Sequence, residues 1–163
     1  MSSSILARRA AGQQLRVVLE TRDGALQVEW RAVLRDGGNA IRQEFALTAQ
    51  RADIVIKETC LVQLPAAGVA VVGQVPGSPL VAGNLFFAYE HSDSKSEVGT
   101  ENATSFLDFD LALPPGQTVT QSAAVGVVPL GQLRRGFLYY VERERAHPYR
   151  PFLHYNAWYD ICW

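Results

Sequence analysis

Apolar and polar residues alternate along much of the first 128 positions. From 26 to 34 the even residues are Leu26, Val28, Trp30, Ala32 and Leu34, while Gln27, Glu29 and Arg31 fall between them. A period of two with one apolar face predicts a half-buried strand. Asp23-Gly24 precedes this run and Asp36-Gly37-Gly38-Asn39 follows it, the residue types that tight hairpin turns need. Strands around Leu15–Glu20, Leu26–Leu34 and Ile41–Thr48 are therefore expected to form a meander. Ile54–Leu64 continues the pattern, with Ile54, Ile56, Cys60, Val62 and Leu64 on one side. Further strands are expected at Val69–Val72, Asn84–Glu90, Ser105–Leu113 and Thr118–Val128, with His91–Asn102 as a polar loop. Eight or nine strands at this spacing predict a mainly β protein, an antiparallel β-sandwich.

The period changes at Pro129. Leu133, Phe137, Tyr140 and Val141 recur at helical spacing, Pro129 suits a first-turn position and Pro148 marks an exit. One amphipathic helix is expected after the sandwich, and then an aromatic terminal strand. The chain divides into a flexible segment 1–13, a sandwich 14–128, a linker helix 129–147 and a last strand 148–163.

Composition narrows the function classes. The 163 residues carry a net charge of -1, which gives nucleic acid or an anionic membrane no electrostatic hold. No apolar run approaches the roughly 20 residues needed to span a bilayer. The start shows no secretory leader pattern, which leaves the cytoplasm as the default address. Cys60 and Cys162 are too few for a disulfide scaffold or a zinc site, and their pairing with each other stays open. His147 and His154 lack metal-ligand spacing. Neither a phosphate loop nor a Gly-x-Ser-x-Gly elbow occurs, so no cofactor, no metal and no catalytic residue is assigned.

Asp108 and Asp110 project from one face of a strand, as paired acid and base groups would, but alternation alone accounts for them. Glu90 and His91 lie at a strand end beside a polar loop, a place for a hydroxylated ligand. Adjacent strand residues face opposite ways, however, and would not act on one atom. Asn156, Trp158, Tyr159 and Asp160 combine rings that stack on sugars with groups that bond hydroxyls. The same residues also fit a buried aromatic strand with a capping aspartate.

The run from Gly131 to Asp160, with Gly136-Phe-Leu-Tyr-Tyr-Val-Glu-Arg-Glu-Arg145 and His154-Tyr-Asn-Ala-Trp-Tyr-Asp160 at its heart, closely resembles a junction in certain bacterial glycosidase-like proteins. These are related to the α-galactosidase (melibiase) families. Trp30–Gly37, Val75–Pro79 and Ala82–His91 look like the same group's N-terminal domain. The resemblance implies a galactose-mutarotase-like β-supersandwich leading through a helix into the first strand of a catalytic (β/α)8 barrel. Ala157 stands where that group usually has serine.

The resemblance further implies a non-catalytic sandwich that supports the barrel of a glycoside hydrolase, with the chain a fragment of that enzyme and inactive in isolation. Its expected partners are a galactose-type carbohydrate, the missing barrel domain and, through an exposed C-terminal aromatic patch, a second copy. The alternatives are a stand-alone carbohydrate-binding or protein-interaction module and a mutarotase-like epimerase.

Overall fold

The computed structural model describes residues 10–145. They form ten strands and one helix. In chain order these are β1 (Gly12–Glu20), β2 (Leu26–Arg35), β3 (Ala40–Ala49), β4 (Ile54–Pro65), β5 (Val69–Val71), β6 (Leu80–Ala82), β7 (Leu85–Tyr89), β8 (Lys95–Val98), β9 (Asn102–Leu113), β10 (Thr118–Val127) and α1 (Leu133–Glu144). The expected final strand, and with it the segments 1–9 and 146–163, lies outside the described residues.

The meander is present as read. β1, β2 and β3 pair antiparallel in sequence order, with Val17 opposite Trp30 and Trp30 opposite Phe45. Gly24 and Gly37 supply the positive φ of the two connecting turns, 66° and 67°, which a Cβ would oppose. β10 then returns beside β3, and the complete sheet runs β1-β2-β3-β10-β7-β6-β5. A smaller sheet of order β4-β9-β8 lies over its β10-β7-β6-β5 half.

Two of the strand expectations change. The segment expected to be one polar loop contains β8, which pairs with β9 and turns Ser96 inward, where its hydroxyl reaches the Ser78 carbonyl at 2.7 Å and Ser105 Oγ at 3.1 Å. Serine reads as loop in a sequence, yet here its hydroxyls close one flank of the sandwich. The single apolar side expected for Ile54–Leu64 is also broken. Register shifts between Ile56 and Glu58 and between Cys60 and Val62 leave Cys60 exposed and turn Thr59 to meet Tyr89, hydroxyl to hydroxyl, at 2.6 Å. An extra residue in one strand swaps the faces of all that follow it.

The core has an inner and an outer part. Between the sheets, Val62, Leu80, Ala103 and Ala123 pack with Leu64 and Phe87, and Ile56 packs with Ala49 and Leu113. On the opposite face of the large sheet, Phe86, Ala124 and Val128 receive Phe137 and Tyr140 of α1. The Phe86 and Phe137 rings meet edge to face at 5.2 Å. Two glycines permit this close approach. A Cβ on Gly126 would lie 2.1 Å from the Phe86 ring, and one on Gly136, mid-helix, 2.1 Å from Val128 Cγ1.

The helix begins later than the sequence pattern places it. Pro129 sits in a turn whose carbonyl accepts the Gln132 amide, and Gln132 caps α1 without a side-chain bond. Asn39 fastens this end. Its Nδ2 donates to the carbonyls of Val127 at 3.2 Å and Gly136 at 3.1 Å.

Candidate functional site

Strand register puts a set of polar residues on the helix-covered face of the large sheet. Glu44 lies opposite Ser122, and Arg42 opposite Ala124, which in turn lies opposite Ala88. Arg42, Glu44 and Ser122 therefore share a face, and Glu90 joins them just beyond β7. The last turns of α1 lower Tyr140 and Glu144 onto the same spot.

Arg42 is the hub. Its Nε donates to Glu90 Oε2 at 2.6 Å and its Nη2 to Ser122 Oγ at 3.1 Å, while Nη1 bonds Glu44 Oε1. Glu144 Oε2 stands 4.0 Å from Nε. The Tyr140 hydroxyl donates to the second Glu90 oxygen. The chain of opposite charges continues over the sheet: Arg31 reaches Glu44 at 2.6 Å, Arg31 approaches Glu29, and Arg16 reaches Glu29 at 2.6 Å.

Burial and charge act together on the ionisable groups. Burial pushes the Tyr140 phenol far above its ordinary range, and the neighbouring Glu90 carboxylate pushes it further. Burial also raises Glu144, against the pull of Arg42. For Arg42 burial works downward, but Glu90 and Glu44 outweigh it, so the guanidinium holds its proton more firmly than usual.

A pocket of about 360 Å³ opens beside this cluster, between Arg42, Gly77, Tyr89, Glu90, Tyr140 and Glu144. Its Glu90 is a poor candidate for acid and base work, whereas Glu144, raised by burial, keeps the character of an acid. Glu90 has both oxygens engaged and Tyr140 keeps its proton, so the group fastens α1 to the sheet. His91 stands apart: it is exposed in the following turn, where its Nδ1 accepts the Asp93 amide at 3.1 Å. The structure thus brings Glu90 and His91 to different environments. Asp108 and Asp110 are both exposed, and Asp108 pairs with Lys95 at 2.7 Å. Among the described residues no group of three His, Cys, Asp or Glu is placed to hold a metal. Asn156, Trp158, Tyr159 and Asp160 lie outside the described residues.

The second candidate is apolar. Because the small sheet covers only part of the large one, no other described residue covers the inner face of β1, β2 and the near ends of β3 and β10. Leu34, Ile41 and Val125 are neighbours across three adjacent strands, and Leu15, Leu19 and Val127 extend the strip. Leu15 is 58% exposed and Leu34 46%. Where the strip meets the small sheet, a groove of about 400 Å³ runs between Trp30, Ile41, Gln43, Leu64, Phe87 and Val125. Two of its polar members are occupied: Trp30 Nε1 donates to Gln43 Oε1 at 3.4 Å, and Gln43 Nε2 donates to the Leu61 carbonyl at 2.8 Å, while Gln63 is exposed at the rim. Sequence reading placed Trp30 and Leu34 on an apolar face but gave no sign that this face would stay uncovered. Arg42, Tyr140 and Glu144 it did not bring together at all.

No family model matches the sequence, and comparison with curated proteins found no match. Among solved structures the chain is similar to one titled "Putative kojibiose phosphorylase from human microbiome", at 14% sequence identity and a TM-score of 0.46. The similarity covers 82% of this chain and 21% of that one, so the chain spans about a fifth of that structure's length.

Proposed function

We propose that the chain is a non-catalytic sandwich domain of a carbohydrate-active enzyme, which docks the bare inner face of its large sheet against the catalytic domain. The strip Leu34-Ile41-Val125 carries this reading. Monomeric proteins seldom leave such a contiguous apolar surface to water, and burying each large aliphatic side chain contributes about 1.5–3 kcal/mol. The groove beside it is lined mainly by apolar side chains, with the Trp30 and Gln43 polar atoms already paired and Gln63 at its rim, which favours a protein surface over a sugar there. The junction motif from Gly131 to Asp160 supports the carbohydrate-active setting, with a galactoside hydrolase as the class it resembles.

In this reading the Arg42 cluster has a mechanical task. It holds α1 against the sheet through Tyr140 and Glu144. A support domain should release no nitrophenol from aryl α-galactosides when purified alone. Hydrolysis that disappears in Glu90→Gln would overturn the proposal, because it would make the Arg42 cluster a catalytic centre.

A further inference from the structure

Among the described residues β1 is the open edge of the large sheet, and its backbone shows which groups face outward. The Thr21 amide donates to Leu26 at 2.9 Å and the Asp36 amide to Ala11 at 2.8 Å, at the two ends of the β1-β2 ladder. Residues of an antiparallel ladder exchange their bonds at alternate positions. With 11 and 21 bonded inward, the odd residues of β1 bond to β2. Gln14, Arg16, Val18 and Glu20 therefore turn N–H and C=O toward the open side.

Natural edges are commonly guarded by proline, a bulge, charged side chains or a short strand, and of these β1 carries only the charges Arg16 and Glu20, the first held by Glu29 at 2.6 Å. β1 has nine residues, no proline and an unbroken register with β2. Leu15, Val18 and Leu19 are all about half exposed or more. The opposite edge of the sheet, β5, has three residues, and β8 packs near it.

We propose that β1 pairs antiparallel with β1 of a second copy about a two-fold axis at Val17, joining the two large sheets edge to edge. Pairing must match outward residues with outward residues. An axis at Arg16 would set two guanidinium groups face to face, and an axis at Val18 would pair only residues 16–20. The axis at Val17 pairs residues 14–20. It sets Leu15 against the partner's Leu19 and Val17 against the partner's Val17, an all-apolar row on the inner face. Gln14 lies opposite the partner's Glu20 and Arg16 opposite the partner's Val18, with that Glu20 diagonal to Arg16. Gln14, Arg16, Val18 and Glu20 would each exchange both backbone bonds across the junction. The row also lengthens the apolar strip on β2, leaving the face itself free for the partner proposed above.

The register gives a sharp test in the full chain with Cys60→Ser and Cys162→Ser. Directly opposed residues at a non-bonded antiparallel position have Cα atoms about 4.5 Å apart, within disulfide reach. Val17→Cys should give a disulfide-linked dimer on mild oxidation, and Gln13→Cys, whose mate would be Thr21, should not. Val18→Pro removes an outward N–H without touching the β1-β2 bonds, so it should turn a concentration-dependent dimer into a monomer in sedimentation. A chain that stays monomeric up to hundreds of micromolar, or cross-linking as ready at 13 as at 17, would overturn the proposal.

Discussion

The two faces of the large sheet are finished to different degrees. On the outer face, α1 presses Phe137 and Tyr140 onto Phe86, the polar residues are joined through Arg42, and two glycines give the helix room. On the inner face, the small sheet stops short and leaves Leu34, Ile41 and Val127 bare. The difference separates the part of the fold that is closely packed from the part that leaves apolar surface over. Packing density resides under the helix and between the sheets, while the surface left over sits on β1 and β2.

Substitutions on either side should expose the contrast. The largest effect is expected for Phe86→Ala, because the ring is fully buried and touches two aromatic neighbours of α1. Losing it should cost about 3–5 kcal/mol in urea unfolding. If Leu34→Ala cost as much, the two faces would not differ as described.

A smaller loss is expected for Tyr140→Phe, which leaves Glu90 without one of its donors and should cost about 1.5–3 kcal/mol. The same variant tests a pH dependence. The folded-state pKa of Tyr140 lies above its ordinary value of 10.0. The stability that comes from keeping the phenol neutral is thus fully present below pH 10 and is lost as pH rises past it. Wild type should lose stability in that alkaline range, and the Tyr140→Phe midpoint should fall less steeply there.

The smallest effect is expected on the bare face. Leu34→Gln and Ile41→Gln should change stability by less than about 0.5 kcal/mol while weakening any dye that binds exposed apolar surface. Destabilisation comparable to Tyr140→Phe would mean the strip is packed after all.

What could be read from the sequence follows from the range of the interactions. The meander was legible because alternation and Gly-containing turns are local, and β2 falls at Leu26–Arg35 against an expected Leu26–Leu34. The shifts in β4 were not, because they depend on pairing with β9 some fifty positions away. β8 was hidden because its inward residue is Ser96, held by hydroxyl bonds in place of apolar contact. The Arg42 cluster spans β3, β10, the end of β7 and α1, and no spacing rule links residues 42, 90, 122 and 140. Glu90 was found for its place at a strand end, but its partners emerge only from the register. That the inner face stays bare is a property of the small sheet's width, which no pattern within β1 or β2 records.

Asn39 carries a further consequence, for the order in which the molecule assembles. Its side chain ties the start of β3 to carbonyls 88 and 97 residues farther along the chain. Closing so long a loop is slow compared with forming a hairpin. The β1-β2-β3 meander can therefore form early, whereas α1 can seat only after β10 has returned beside β3. Until that moment Phe86, Phe137 and Tyr140 are all exposed to water at once, and this interval is when a newly made chain is most vulnerable to aggregation.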